Sequence, residues 1–389
     1  MRHNVGAVVK EEKCCSCGIC AGVCPVKCIQ MKLDQNKVPV PVIDAMLCTH
    51  CGLCLDICPG KESFNETLCG GPRGKEATVL QAYNGHTKNE SLLITSASGG
   101  ICMQLIDELL KTGVFKKAFL VKEWNLSKIL TTELCEAVCP SMGGSRYVPV
   151  SHEKAVKYIL QHRDEKVILV GTGCAIRGLR NVIQTFHLND NNYLLLGLFC
   201  DSVMSYSIWD YFLSVSTSYG KLKELHFRSK KKHGWPGDVL LVCDKGEVYF
   251  PKEKRQRIKD FYINKRCLYC TDKLCSCADI SLGDNYTGTF VNKMGTSSIF
   301  VRTDKGKKYL NRIESLLEFQ EIAPSLVERA QQIEKTKEKN WFAKIKEKEC
   351  KEVPLKYKIK YCYKMVKIFS RKYKLLMNAI FMFERIFKR

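Results

Sequence analysis

The hydrophobic pattern between residues 75 and 325 alternates between strand-like and helix-like segments. The run 166–170 (KVILV) predicts a buried strand, residues 175–186 predict a helix with one apolar face, and 193–199 (YLLLGLF) predict a second strand. Strand, helix and strand in this order form a βαβ unit. We therefore expect an α/β domain with a mostly parallel sheet and helices on its faces.

Segments of the same two kinds flank this unit. Strands are predicted at 78–83, 118–121, 237–243, 248–251 and 297–303, and a helix at 101–111. The strands 237–243 and 248–251 are expected to form a hairpin, and the last strand is expected to end in a turn at 304–306.

The chain ends in a basic amphipathic segment. Residues 355–389 hold eleven Lys or Arg against one acid, Glu384, so this segment carries +10 of the net charge of +22. Aromatic and aliphatic residues interleave with the basic ones, which predicts an amphipathic helix. This helix could lie on an anionic membrane surface, dock on an acidic partner or nucleic acid, or pack its apolar face on the body. The absence of a recognised nucleic-acid motif argues against nucleic acid.

The cysteine content points to metal or redox chemistry. The 389-residue chain has 23 cysteines, an odd number that closed disulfides cannot use up. The apolar run 5–9 is too short for a signal-peptide core, and no stretch approaches the about eighteen uncharged apolar residues of a membrane-spanning helix. We therefore expect reduced thiols in a cytoplasmic protein, with peripheral contact at the inner membrane face as an option for its tail.

Eight cysteines form two identical motifs, Cys-x2-Cys-x2-Cys-x3-Cys-Pro, offset by 34 residues. Three thiolates of each motif bind one cluster, and the fourth reaches the cluster of the other motif. The predicted ligands of one [4Fe–4S] cluster are Cys14, Cys17, Cys20 and Cys58, and those of the other are Cys48, Cys51, Cys54 and Cys24. Cys15 and Cys28 fall outside this register and are expected to be bystanders. The motif is similar to a bacterial two-cluster ferredoxin, an α+β module.

A further cysteine group reads Cys267-x2-Cys270-x4-Cys275-x-Cys277. These four residues could form a local zinc site. Alternatively, Cys267 and Cys270 could share a cluster with Cys174 and Cys200, which each follow a strand-like run. The spacing alone leaves both readings open.

Two glycine turns precede predicted helices, at Ser98-Gly99-Gly100 and at residues 171–174. Such a turn exposes backbone N–H groups beside the positive end of a helix, where a phosphate can bind. The alternative is an ordinary cap and turn without a ligand.

Several short motifs together carry a family resemblance. They are Ser98-Gly99-Gly100, Gly144-Ser145-Arg146-Tyr147, Gly171-Thr172-Gly173-Cys174, Phe227-Arg228, Cys267-x2-Cys270 and Asp279-Ile280-x2-Gly283-Asp284. In this order, over about residues 5–320, the chain resembles the coenzyme F420 hydrogenase/dehydrogenase beta-subunit family. The resemblance implies three parts: a two-cluster ferredoxin domain at 1–65, a flavin domain at 66–335 and the basic tail at 336–389.

The resemblance also implies cofactors and an activity. It implies FAD, a third [4Fe–4S] cluster on Cys174, Cys200, Cys267 and Cys270, and hydride exchange with coenzyme F420. The implied FAD-binding residues are Ser98, Gly99, Gly100, Ser145, Arg146, Thr172 and Gly173. Arg146 and Arg228 are candidates to stabilise a reduced flavin or an acidic substrate, with surface or phosphate-contacting roles as the alternative. We therefore expect an iron–sulfur flavoprotein oxidoreductase that passes electrons to a partner protein or a soluble ferredoxin.

Two turns depart from the usual family pattern, at Gly173-Cys174-Ala175 and at Cys200-Asp201-Ser202. They put F420 itself in question and leave an unidentified equivalent as the hydride carrier. The alternative function is a ferredoxin-type subunit with no substrate site of its own, which serves a partner enzyme, for example in polysaccharide synthesis.

Overall fold

The computed structural model describes residues 4–61, 70–71, 75–76, 79–336, 338–371, 373, 376–377 and 379–380. Residue 78 of the predicted strand 78–83 lies outside the described residues. The same holds for residue 337 and for residues 372, 374, 375, 378 and 381–389 of the predicted basic tail. No helix among the described ranges is long and apolar enough to cross a membrane.

The N-terminal region is built from short elements around the two cysteine motifs. Each motif leads through a glycine, Gly18 or Gly52, into a short helix, and both glycines have positive φ values of 71° and 83°. The strands of this region pair antiparallel. Its elements are α1 (Gly6–Lys10), α2 (Ile19–Val23), β1 (Ile29–Leu33), β2 (Pro39–Ile43) and α3 (Leu53–Asp56).

The middle of the chain alternates between strands and helices, as its hydrophobic pattern predicts. The elements are β3 (Gly70–Gly71), β4 (Lys75–Glu76), β5 (Gln81–Thr87), α4 (Glu90–Thr95), α5 (Ile101–Lys111), β6 (Lys117–Leu120), β7 (Leu130–Thr131), β8 (Glu133–Cys135), β9 (Val150–Ser151), α6 (Glu153–Gln161), β10 (Val167–Thr172), α7 (Gly173–Thr185), β11 (Tyr193–Leu198) and α8 (Ser207–Val215). The helix predicted over 101–111 is confirmed at both ends.

The remaining elements are β12 (Leu222–Ser229), β13 (Asp238–Cys243), β14 (Gly246–Phe250), α9 (Lys252–Tyr262), β15 (Ile280–Asp284), β16 (Ser297–Val301), α10 (Asp304–Asn311), β17 (Leu317–Glu321), α11 (Pro324–Ala330), α12 (Ile333–Thr336), α13 (Glu338–Lys346) and α14 (Leu355–Ser370). The hairpin prediction is confirmed by β13 and β14. The turn expected at 304–306 is wrong, because Thr303 Oγ1 accepts a hydrogen bond from Gly306 N and starts α10.

Eight strands of the described residues form one large sheet in the order β17-β5-β16-β15-β11-β10-β6-β8. The central pairs β6–β10, β10–β11 and β11–β15 are parallel, and the four other pairs are antiparallel. The expectation of a mostly parallel sheet therefore holds for the centre alone, and the whole sheet is mixed. A strand buried on both faces has the same apolar run in either direction, so the pattern did not reveal the antiparallel edge.

Helices cover both faces of this sheet. On one face, α6 and α7 pack with α2 of the N-terminal region in a shared core. The packing is close: a Cβ on Gly22 of α2 would lie 2.6 Å from Val156 Cβ in α6. On the other face, α5 and α10 form a second core with Ile168 and Leu194. The N-terminal cysteine motifs are therefore fixed against the α/β domain.

The strands β12, β13 and β14 form a smaller antiparallel sheet that packs with α8 and α9. After β17, the described part of the chain includes the helices α11 to α14, and α14 packs on α9 and α13. Of the predicted basic tail helix, the structure describes α14 up to Ser370.

Candidate functional site

A cavity of about 370 Å³ lies at the carboxyl edge of the parallel strands. Residues that end or follow four of these strands line it: Val121 after β6, Gly173 after β10, Cys200 after β11 and Asp284 at the end of β15. The carboxyl edge of a parallel sheet is where open α/β proteins bind their ligands. This cavity is therefore the candidate site.

Two helices begin at the cavity wall. The helix α5 starts after Gly100, whose φ is 75°, and α7 starts after Thr172, and neither helix has a side-chain cap. Their first N–H groups have no partner within the helix, so they can hold an anion. The cavity lining includes six of the seven residues predicted to bind FAD: Ser98, Gly100, Ser145, Arg146, Thr172 and Gly173.

Gly99, the seventh residue predicted to bind FAD, does not line the cavity. Its N–H donates to Ser297 Oγ at 3.0 Å, and a Cβ there would lie 2.5 Å from the carbonyl oxygen of Gly85. Gly99 therefore allows the turn to pack closely on the sheet, while its neighbours Ser98 and Gly100 face the cavity.

The cavity wall also holds buried polar atoms that find no hydrogen-bond partner among the described residues. They are Ser96 Oγ, Thr132 Oγ1, Ser202 Oγ and Asp272 Oδ2. A buried polar atom without a partner costs free energy, so such atoms indicate a polar ligand. Sequence reasoning missed all four. The one available signal was position: Ser202 and Asp272 each come two residues after a candidate cysteine ligand.

Arg146 is buried, and backbone carbonyls occupy its guanidinium. It donates to the carbonyls of Val121, Glu123 and residues 142–144, at 2.9–3.3 Å, and lies 3.6 Å above the Trp124 ring centre. Burial lowers its pKa to about 9. Its visible role is to hold the loop that carries Ser145 at the cavity.

Arg228 is also buried, and it forms a two-point ion pair with Asp284 at 2.6 and 2.7 Å. Burial alone would raise the pKa of Asp284, but Arg228 beside it brings this pKa below the usual range. Arg146 and Arg228 are both buried, so the surface role considered as an alternative for them is wrong. A lone sequence motif does not show whether an arginine meets an internal partner.

The thiols of Cys174, Cys200, Cys267 and Cys270 line one end of the cavity. Cys174 lies in the first turn of α7, Cys200 follows β11, and the other two lie at the 3₁₀ helix Lys265–Leu268. Burial raises the pKa of Cys200 far above its usual range, and the other three thiols raise it further. The structure thus brings together the third predicted ligand set.

The alternative zinc ligands Cys275 and Cys277 are placed differently. Cys275 is fully buried, with its Sγ over Gly197 in β11. Neither Cys275 nor Cys277 lines the cavity. Among the described residues, no three side chains of His, Cys, Asp or Glu converge as the ligands of a single metal ion do.

Cys15, which the motif register leaves outside the ligand sets, lies near Cys174 of the third predicted set. It lines the cavity, and a hydrogen bond with its thiol, together with burial, raises the pKa of Cys174 far above the usual range. Cys28 lies 3.4 Å from Cys24, sulfur to sulfur. The register considers spacing along one loop only, so it could not show a contact between Cys15 and a distant helix.

The fourth cysteine of the second motif, Cys58, lies near Cys14 of the first motif. Burial raises the pKa of Cys58 to about 12, and Cys14 of the other motif raises it further. Burial also raises the pKa of Cys17, and the neighbouring thiols of Cys20 and Cys58 raise this pKa further. These neighbours agree with the predicted ligand set Cys14, Cys17, Cys20 and Cys58, which we call the first thiol set; Cys54 of the second motif also lies near Cys20 and Cys58.

Cys24 correspondingly joins the cysteines of the second motif. A small cavity of about 20 Å³ is lined by Cys24, Cys48, Cys51 and Cys54, which form the second thiol set. Burial raises the pKa of Cys54, and the three other thiols of this set raise it further. Cys17 of the first set lines the large cavity, whereas no thiol of the second set does, so the first set lies nearer that cavity than the second.

Comparisons with known families match both halves of this arrangement. Residues 13–61 match the family "4Fe-4S dicluster domain". Residues 164–325 match the family of the C terminus of the coenzyme F420 hydrogenase/dehydrogenase beta subunit. The resemblance found from the sequence motifs is thereby confirmed.

Three relatives carry coenzyme F420 or its reduced form in their names. The beta subunit of the coenzyme F420 hydrogenase of Methanococcus voltae is 28% identical over 182 residues, 44% of this chain and 57% of that protein. A subunit of the F(420)H(2) dehydrogenase of Methanosarcina mazei is 23% identical over 352 residues, 82% of this chain and 88% of that protein. The coenzyme F420-dependent sulfite reductase of Methanocaldococcus jannaschii is 28% identical over 232 residues, 57% of this chain and 35% of that protein.

A chain of the F420-reducing [NiFe] hydrogenase complex from Methanosarcina barkeri has a similar fold, with a TM-score of 0.50 at 18% identity. The match covers 67% of this chain and 90% of that chain. The chain thus joins a segment, residues 13–61, that matches a 4Fe–4S dicluster domain to a segment, residues 164–325, that matches the C terminus of the coenzyme F420 hydrogenase/dehydrogenase beta subunit.

Proposed function

We propose that this protein is an iron–sulfur flavoprotein oxidoreductase that moves electrons between a hydride carrier and [4Fe–4S] clusters. The observation that carries the proposal is one shared cavity. The turns predicted to bind FAD and the four thiols of the third set line the same space. A cofactor held by those turns would lie beside a cluster held by those thiols.

The residues of the cavity fit FAD. The starts of α5 and α7 offer N–H groups to a pyrophosphate, and Ser98, Ser145 and Thr172 stand beside them. The unpartnered oxygens of Ser96, Thr132, Ser202 and Asp272 await donors from a polar ligand. A bound flavin would accept two electrons as a hydride and would pass them on to the clusters one at a time.

The three thiol sets are proposed as the ligands of three [4Fe–4S] clusters. The third set and Cys17 of the first set line the large cavity, whereas the second set lines a separate small cavity. Cys51 of the second set is exposed, whereas Cys20 of the first is buried. Electrons from the cavity would therefore leave through the second cluster, where a partner protein can approach.

The hydride carrier is proposed to be coenzyme F420 or an equivalent of similar chemistry. The names of the relatives support F420, because all three include it. Two relatives are also named as subunits, which supports an electron-transfer partner for this chain. Asp272 and Ser202 would distinguish carriers, since their unpartnered oxygens require matching groups on the ligand.

The test is an anaerobic purification with flavin, iron, labile sulfide and zinc measured on one sample. About one FAD and about twelve irons per chain are expected for a flavin and three cubane clusters. About eight irons, no flavin and one zinc would overturn the proposal and leave a ferredoxin-type subunit.

A pair of variants tests the third cluster by itself. Cys200→Ala should remove about four irons and leave about eight. The matched control is Cys277→Ala, which changes a thiol of the alternative zinc site and should leave the iron content unchanged. A loss of metal in Cys277→Ala alone would instead assign the downstream cysteines to a local site.

A further inference from the structure

The end of the described chain leaves many apolar side chains in water. Of the nineteen large apolar side chains that are exposed among the described residues, seven lie between residues 355 and 376. Leu355, Ile359 and Phe369 are 70%, 61% and 59% exposed. Such a concentration of exposed apolar side chains marks an interaction surface, whereas single ones need no explanation.

The inner face of α14 is fixed to the body of the protein. Tyr357, Tyr361 and Ile368 pack into a core with Phe342 of α13. The hydroxyl of Tyr361 lies 2.9 Å from that of Tyr269. Because this face is anchored, the opposite face of α14 points away from the protein.

The outer face forms one continuous apolar stripe. Its residues follow each other at intervals of four, three, four and three positions, which places them on one side of a helix. We call this the α14 stripe, and its members are Leu355, Ile359, Cys362, Val366 and Phe369, all exposed.

A lysine flanks each edge of the α14 stripe. Helical geometry places Lys356 along one edge and Lys358 along the other, whereas Lys360 lies further round the helix and pairs with Glu338 of α13. A lysine at the edge of an apolar face can lay its alkyl chain along that face and extend its ammonium group outward. The sequence that continues to residue 389 keeps the same composition, with one acid in residues 355–389.

We propose that the α14 stripe docks flat on an anionic lipid surface. A helix with one apolar face between lysine-bearing edges has the pattern of helices that lie in a membrane interface. Anionic headgroups complement the lysines, each of which adds roughly 1 kcal/mol near such a surface. A second copy of the chain fits less well, because its own lysines would face Lys356 and Lys358 across the contact.

The experiment measures binding of the full, cofactor-loaded chain to lipid vesicles by sedimentation. One vesicle type contains phosphatidylglycerol and phosphatidylcholine in equal parts, and the other contains phosphatidylcholine alone. We expect binding to the anionic vesicles and a marked loss of binding at high salt. The double variant I359E/F369E should bind them at least about tenfold more weakly, since it places two acids in the stripe.

The matched control is V291E/Y219E, which makes the same change of charge at two exposed apolar positions in other parts of the surface. It should bind as the unchanged protein does. Three results would overturn the proposal: no binding of the unchanged protein to anionic vesicles, equal binding by I359E/F369E, or self-association that depends on the stripe without vesicle binding. Vesicle binding does not depend on electron transfer, so its outcome is independent of the proposed oxidoreductase function.

Discussion

The Nε of Arg266 donates a hydrogen bond to the backbone carbonyl of Lys13 at 3.1 Å. Lys13 directly precedes Cys14 of the first thiol set, and Arg266 directly precedes Cys267 of the third. The neighbouring Lys265 pairs with Glu12 at 2.8 Å, which joins the same two segments again. Arg266 is 5% exposed, so a buried positive charge stands between two thiol sets that are far apart in sequence.

Replacing Arg266 with Gln should lower the reduction potentials of the clusters proposed for the first and third sets. A nearby positive charge favours the added electron, so its removal favours the oxidised cluster. For a buried charge at this kind of separation the effect is on the order of 1–2 kcal/mol per electron. An anaerobic redox titration followed by electron paramagnetic resonance measures it.

Arg266→Lys is the matched control, because it retains the charge and should retain most of the potential. Iron content should be equal in both variants. Equal potentials in Arg266→Gln and the unchanged protein, at full iron content, would exclude this role for Arg266.

Lys230 holds the turn Ser98-Gly99-Gly100 in place at the cavity wall. Its ammonium group donates to the carbonyls of Leu93, Ser98 and Met294, and it is buried. Lys230 begins a run of three lysines, a pattern typical of an exposed loop, yet its own side chain is buried.

Lys230→Met should destabilise the protein by about 2–4 kcal/mol, because three buried carbonyls lose their donor. It should also weaken FAD retention, since Ser98 is one of the three residues held. Denaturant unfolding and the flavin content after gel filtration measure the two effects. Lys231→Met is the control: Lys231 is exposed and pairs with Glu247, so both readings should stay near those of the unchanged protein.

Lys230 and Arg266 show where prediction from the sequence ends. The repeated spacing of the cysteine motifs predicts which thiols share a cluster, because spacing along a loop limits which sulfurs can converge. Nothing in the local sequence distinguishes a buried lysine from its exposed neighbours. Burial depends on which distant carbonyls meet the side chain, as those of Leu93 and Met294 do here.

The central strands were predictable for a related reason. The strands β10 and β11 are apolar on both faces. The glycine turn at the end of β10 marks the point where α7 begins. The direction of β16 and β5 was not predictable, because direction is set by the connections between strands. The cavity wall shows the same limit: Thr132 becomes a candidate only when the fold brings it to the wall of the cavity that Cys174 also lines.

Gly173 should not tolerate a side chain. A Cβ at this position would lie 2.6 Å from Asp272 Oδ2 and 2.9 Å from the Asp272 carbonyl oxygen. Gly173→Ala should therefore displace the segment that follows Cys270, with loss of bound flavin and of about four irons. Flavin absorbance and iron per chain are the measurements.

Gly171→Ala is the comparison for this change. Its added Cβ would lie 3.1 Å from Ala175 Cβ and 3.3 Å from the His152 ring, contacts that a small shift can relieve. It should retain more flavin and iron than Gly173→Ala. If Gly171→Ala lost more flavin and iron than Gly173→Ala, the sensitive contact would lie in β10 and not at Asp272.

Tyr206 joins three segments around the smaller sheet through one hydroxyl. The hydroxyl donates to the Pro149 carbonyl at 2.7 Å and accepts from the Leu130 N–H at 2.7 Å, and the side chain is 1% exposed. Burial raises the pKa of this hydroxyl well above its usual range, so it remains a neutral donor.

Tyr206→Phe should lower the free energy of unfolding by about 1–3 kcal/mol, because the N–H of Leu130 and the carbonyl of Pro149 are left buried without their partner. Denaturant unfolding of the cofactor-loaded protein measures the change. Tyr211→Phe removes a hydroxyl from a half-buried ring on the same helix, one that makes no hydrogen bond to the described residues, and should cost less than about 0.5 kcal/mol. A similar loss in both variants would mean that the ring packing of α8, and not the hydroxyl of Tyr206, stabilises this region.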